Sequence, residues 1–83
     1  MTYSYLEFSR DLERIITQDN GVDYDHISDW AYKIRLDNID DINPEVEDWL
    51  SHLELMSMDP QFEYSESELR DHIIIAKNKS KKN

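Results

Sequence analysis

Residues 43–56 read Asn43-Pro44-Glu45-Val46-Glu47-Asp48-Trp49-Leu50-Ser51-His52-Leu53-Glu54-Leu55-Met56, and this stretch decides the fold class. Asn43 offers a side-chain oxygen to the unpaired amides of a helix start. Pro44 suits the first helical position, where its missing N–H costs nothing. Glu45 and Glu47 favour the positive end of the aligned peptide dipoles. Val46, Trp49, Leu50, Leu53 and Met56 (or Met58 just beyond) then recur at helical spacing, so one face is apolar. Asp59-Pro60 supplies a stop. The pattern predicts a helix over about 44–56.

The same signals recur on either side. Ser4 and Glu7 form an S-x-x-E capping box, Asn20-Gly21 is a C-terminal stop, and Tyr5, Phe8, Leu12, Ile15 and Ile16 share one face. A first helix over about 5–19 follows, with Arg10 and Arg14 placed one turn from Glu7 and Asp11. Asp23 is the N-cap of a second helix over about 24–36, whose apolar face is Ile27, Trp30, Ala31 and Ile34. Ile39 and Ile42 in the polar connection 37–43 are expected to be pinned to the core. Ser65 and Glu68 repeat the capping box before a fourth helix over about 66–77, with Phe62 or Tyr64 as its staple and Leu69, Ile73 and Ala76 on one face. Residues 61–64 alternate like a strand, but four residues cannot stabilise a sheet, so an extended loop is expected.

One Gly and two Pro in 83 residues argue against a turn-rich β fold. The expectation is all-α: a compact bundle of about four short helices in a single small domain over 1–76, followed by a lysine-rich tail, 77–83, that frays. Phe8, Leu12, Ile15, Trp30, Ile34, Trp49, Leu50, Leu53, Leu69 and Ile73 should lead the contacts between helices.

Chemistry finds little purchase. With no Cys, disulfides, thiolate metal sites and cysteine nucleophiles are excluded. His26, His52 and His72 are not spaced to share a helix face, so no metal site is expected. A calcium loop counted from Asp37 puts Ile39 at position 3, Ile42 at position 6 and Pro44 inside the loop, which breaks the EF-hand pattern. No Gly-rich phosphate loop or nucleophile elbow is present. The chain reads as a non-enzyme without a cofactor. The longest apolar run, Ile73-Ile74-Ile75-Ala76, is far short of the roughly 18 residues of a membrane span. No basic-then-apolar leader opens the chain, so a cytoplasmic protein is expected.

Charge is the strongest functional signal. Nineteen carboxylates oppose nine Lys and Arg, a net −10. Four of the nine are Lys77, Lys79, Lys81 and Lys82, so residues 1–76 hold nineteen against five, or −14. Between Leu36 and Leu69 run eleven carboxylates and no Lys or Arg: Asp37, Asp40, Asp41, Glu45, Glu47, Asp48, Glu54, Asp59, Glu63, Glu66 and Glu68. Such a surface repels nucleic acid and anionic lipid and attracts basic proteins; the plainer reading is a solubilising surface. Binding faces join charge to aromatic anchors. The candidate partner-binding residues are therefore Asp37, Asp40, Asp41, Glu45, Glu47, Asp48, Glu54, Glu63, Tyr64 and Glu66, on the third helix and its flanking loops. Those loops should lie at opposite ends of a bundle. Tyr24, Tyr32 and Tyr64 are the aromatics least demanded by the core. The lysine tail could touch phosphates, but the charge of the remainder opposes nucleic acid.

Phe8-x-x-x-Leu12, Ile27-Ser28-Asp29-Trp30-Ala31 and Tyr64-Ser65-Glu66-Ser67-Glu68-Leu69, in a short, acidic, cysteine-free helical chain, resemble bacterial immunity proteins. These neutralise nuclease toxins of colicin-like or contact-dependent growth inhibition systems. The resemblance implies tight capture of a basic toxin C-terminal domain by a monomer, with acidic side chains covering or mimicking nucleic-acid contacts. The site residues come from the charge reading alone. Two other readings stay open: a nucleic-acid mimic that inhibits a DNA- or RNA-binding enzyme (anti-restriction or anti-CRISPR type), and an acidic adaptor subunit.

Overall fold

The computed structural model describes residues 2–59, 61 and 63–81. Four helices form an all-α bundle: α1 (Tyr5–Gln18), α2 (Tyr24–Asp37), α3 (Pro44–Glu54) and α4 (Glu66–Ser80). Among the described residues no helix is long and apolar enough to cross a membrane. α1 packs mainly against α4, and α2 against α3.

The caps form as the sequence directs. Asn43 Oδ1 accepts from the amides of Glu45 at 2.8 Å and Val46 at 3.2 Å, and Asp23 accepts from the His26 amide at 3.2 Å. Ser65 Oγ accepts from the Glu68 amide at 3.2 Å while Glu68 accepts from the Ser65 amide at 3.0 Å. At α1, Glu7 accepts from both the Ser4 amide and the Ser4 hydroxyl. Asn20 at φ 55° and Gly21 at φ 138° reverse the chain after α1, and the Gly21 amide closes on the Ile16 carbonyl at 3.0 Å.

Phe8, Leu12, Ile16, Ile27, Leu50, Leu69 and Val46 are fully buried, and Ile15, Leu53 and Ile73 nearly so. Trp30, Ile34 and Trp49 instead lie half-buried against that core. Phe8 joins the halves, with ring centroids 5.3 Å from Trp49 and 6.1 Å from Trp30. Two buried hydroxyls are satisfied by backbone. Ser9 donates to the Leu6 carbonyl at 2.9 Å; Ser28 donates to the Leu53 carbonyl at 2.7 Å and accepts from the Ser57 amide at 3.2 Å.

Several expectations need correction. α3 stops at Glu54, because the amides of Leu55 and Met56 fall back to the carbonyls of His52 and Leu53 and tighten the last turn. That turn buries Met56 and leaves Met58 77% exposed, so Met56 takes the last core position. α4 runs on to Ser80, so residues 77–80 are helix and not a frayed tail. Lys77 is held by Glu13 at 3.0 Å and Lys79 by Glu45 at 2.5 Å. Lys82 and Asn83 lie outside the described residues, as does Phe62, the alternative staple. Ile42 packs on the core, but Ile39 is 57% exposed. Tyr3, given no role by the helical stripes, is buried: its backbone bridges Ile42 in a parallel pairing, with Tyr3 N–H to Asp41 O at 3.0 Å and Asn43 N–H to Tyr3 O at 2.9 Å.

Candidate functional site

The loops flanking α3 lie at opposite ends of the bundle. At one end, the 38–43 connection is bound to Tyr3, and Glu45 meets the last turn of α4. At the other, the Tyr24 hydroxyl donates to the Tyr64 carbonyl at 2.9 Å, and a Cβ built on Gly21 would stand 3.8 Å from Glu66 Oε1. α3 between them has 11 residues, about 16 Å at 1.5 Å per residue. The ten candidate residues therefore do not converge on one spot.

They also divide by how they are used. Glu45 accepts from the Tyr5 hydroxyl at 2.6 Å and from Lys79. Lys79 Nζ also stands 5.5 Å from the Tyr5 ring centroid and 5.9 Å from that of Trp49. Lys79 and then the Tyr5 hydroxyl hold the Glu45 carboxyl below its ordinary range, and Glu45 in turn holds Lys79 and Tyr5 protonated to higher pH. Glu54 grips Arg35 in a two-point pair, Nε–Oε2 2.5 Å and Nη2–Oε1 3.0 Å, which keeps the guanidinium charged. Glu66 pairs with Arg70 at 2.9 Å one turn on. Asp41 accepts from the Thr2 hydroxyl at 2.8 Å, which lowers its pKa. Tyr64 is half-buried, its ring centroid 5.2 Å from that of His72. These five residues are thus engaged within the chain, and of them Glu45, Glu54 and Tyr64 join different helices or pack on the core. Asp37, Asp40, Asp48 and Glu63 are exposed, and their carboxylates make no hydrogen bond or ion pair among the described residues. Glu47 is half-exposed, close enough to Arg35 for its field to act on the guanidinium.

The cations are more uniformly committed. Arg14 pairs with Asp11 at 3.3 Å and Lys33 with Asp29 at 2.9 Å. With Arg35, Arg70, Lys77 and Lys79 already placed, six of the eight Lys and Arg side chains among the described residues are tied to carboxylates of the same chain.

Two concavities lie largely apart from the ten candidate residues. An open groove of about 400 Å³ between α2 and the end of α3 is lined by Asp25, Ser28, Asp29, Tyr32, Glu54, Ser57 and Met58. A second, of about 480 Å³, shares Asp25 and Ser57 with it and adds Asp23, Tyr24 and Glu63. Of the ten candidates only Glu54 and Glu63 border these grooves. Ser28 sets the geometry, since its hydroxyl locks the α3 end against α2. The available signal was Tyr32, an aromatic outside the core stripe; the missing part was that the α3 end folds back beside it. Among the described residues no group of three or more His, Asp and Glu could hold a metal ion. Compared with protein-family models, curated proteins and solved structures, the chain matches none.

Proposed function

We propose that this chain is an immunity-type inhibitor, a cytoplasmic monomer that captures a basic nuclease-type toxin domain through an acidic surface. The observation that carries this reading is the asymmetry of pairing. Six cations are paired within the chain, while Asp37, Asp40, Asp48 and Glu63 stand in solvent without an ion pair among the described residues. A partner approaching this molecule meets a net charge of −10. Such charge steers encounter and rejects anionic competitors, while affinity comes from buried anchors.

The test is a search of the neighbouring genes for a basic nuclease-type domain, followed by measurement of its capture by this chain; a neighbourhood without one counts against the reading. The association rate should fall steeply as salt rises from about 0.05 to 0.5 M, because exposed charges are screened over about 10 Å or less. Asp40→Lys with Asp48→Lys should slow association further, and co-expression of the unaltered chain should restore growth to cells carrying the nuclease. An association rate indifferent to salt and to both substitutions would sink the acidic-capture reading.

A further inference from the structure

We infer that the groove between α2 and the α3 end receives a cationic amphipathic helix of the partner protein. The inference rests on the acidic-capture reading and locates it. Asp25, Asp29, Tyr32 and Leu36 follow one another at spacings of four, three and four, so they form one stripe on the outer face of α2. Tyr32 is 48% exposed and Leu36 46%, and Ile39, in the connection after the helix, is 57% exposed. Met58, 77% exposed, faces Tyr32 across the groove.

Tyr32 and Leu36 thus stand in water on one helix face, with Met58 across the groove from Tyr32 and the carboxylates of Asp25, Asp29 and Glu54 along it. Scattered exposed apolar residues need no explanation, but an aligned set beside a concavity marks a contact surface. Asp25 to Leu36 covers twelve residues, and the eleven steps between them make about 17 Å of helix, the length of some three turns of a partner helix. A helix laid in such a groove places apolar residues every three or four positions on Tyr32, Leu36, Ile39 and Met58. Its flanking lysines and arginines then reach Asp25, while Asp29 and Glu54, already paired with Lys33 and Arg35, line the walls. The two-point grip of Arg35 on Glu54 fixes that wall before any partner arrives. Charge selects the occupant: a second copy of this chain, at −10, would bring repulsion to the same line.

Two synthetic peptides of about 18 residues, long enough to be helical when bound, test this with the full chain. Both contain only leucine and lysine in equal number. One sets the leucines on a single helical face; the other disperses them. Fluorescence anisotropy at about 0.15 M salt should show the patterned peptide binding at least about tenfold tighter, since buried anchors and not charge carry affinity. Tyr32→Ser with Leu36→Ser should abolish that preference, and Ile74→Ser with Ile75→Ser, exposed positions on α4, should keep it. Equal binding of the two peptides, or a preference that survives loss of Tyr32 and Leu36, overturns the groove and leaves acidic capture standing. Failure of both peptides to bind even at low salt overturns both. A dimer in sedimentation that Tyr32→Ser with Leu36→Ser dissociates would assign the groove to a second copy and overturn the partner helix.

Discussion

Ser28 shows how one atom can govern a site. Its hydroxyl donates to the Leu53 carbonyl, which also accepts the Met56 amide, and accepts from the Ser57 amide, so its removal takes the side-chain partner from both backbone groups. Ser28→Ala should cost about 0.5–1.5 kcal/mol, the net worth of an intramolecular hydrogen bond, read as a lower urea midpoint. Gly21 carries a different constraint. At φ 138° a side chain is strained even though a Cβ would meet only Glu66, at an ordinary contact distance of 3.8 Å, so Gly21→Ala should lose about 1–3 kcal/mol by the same measurement. Glu45 links stability to pH. Its carboxyl is held below the ordinary 4.5 in the folded chain, so its contribution is present at neutral pH and lost as pH falls through the lowered value. Glu7 behaves alike: burial alone would raise its pKa, but the Ser4 hydroxyl and local backbone amides bring it down. Acid titration followed by Trp fluorescence should therefore show Glu45→Gln with a lower plateau at neutral pH and a shallower loss below pH about 4.5.

At the scale of elements, the helix starts were legible because their signals are local. Asn43-Pro44, Asp23 and Ser65-x-x-Glu68 each act within three residues, and each cap forms. Asn43→Ala should cost about 1 kcal/mol, measured by urea unfolding, through loss of its two accepted amides. Helix ends were less legible, because their outcome depends on distant partners. Lys77 and Lys79 read as tail by composition, yet they lie on α4 because Glu13 and Glu45 wait for them on α1 and α3. The half-buried aromatics follow the same rule. Trp49 belongs to the α3 stripe, but it lies at the seam where Tyr5, Phe8 and His72 meet it. Tyr3 belongs to no stripe at all, and its burial depends on a backbone pairing with Ile42 that no periodicity encodes.

For the whole molecule, charge sets both the partner and a cost. A net −10 on 83 residues repels itself, so thermal midpoints should rise as salt goes from about 0.01 to 0.2 M; a falling midpoint would show that internal ion pairs outweigh the repulsion. Acidity was legible from composition, but its useful geometry was not. Half the candidate side chains are engaged by groups of the same chain, and the groove at Tyr32 needs residues 25–32 beside 54–58, a proximity that only the α2–α3 packing creates. That packing joins neighbours in sequence, whereas α1 finds its main partner in α4 at the far end of the chain. The two halves therefore differ in when they can form. Closing α2 on α3 needs only the 38–43 connection, while docking α1 on α4 must close almost the entire chain, which costs more entropy. Folding should begin with the central hairpin. Leu50→Ala should then chiefly slow refolding, whereas Leu69→Ala should chiefly hasten unfolding, a contrast that stopped-flow chevrons resolve.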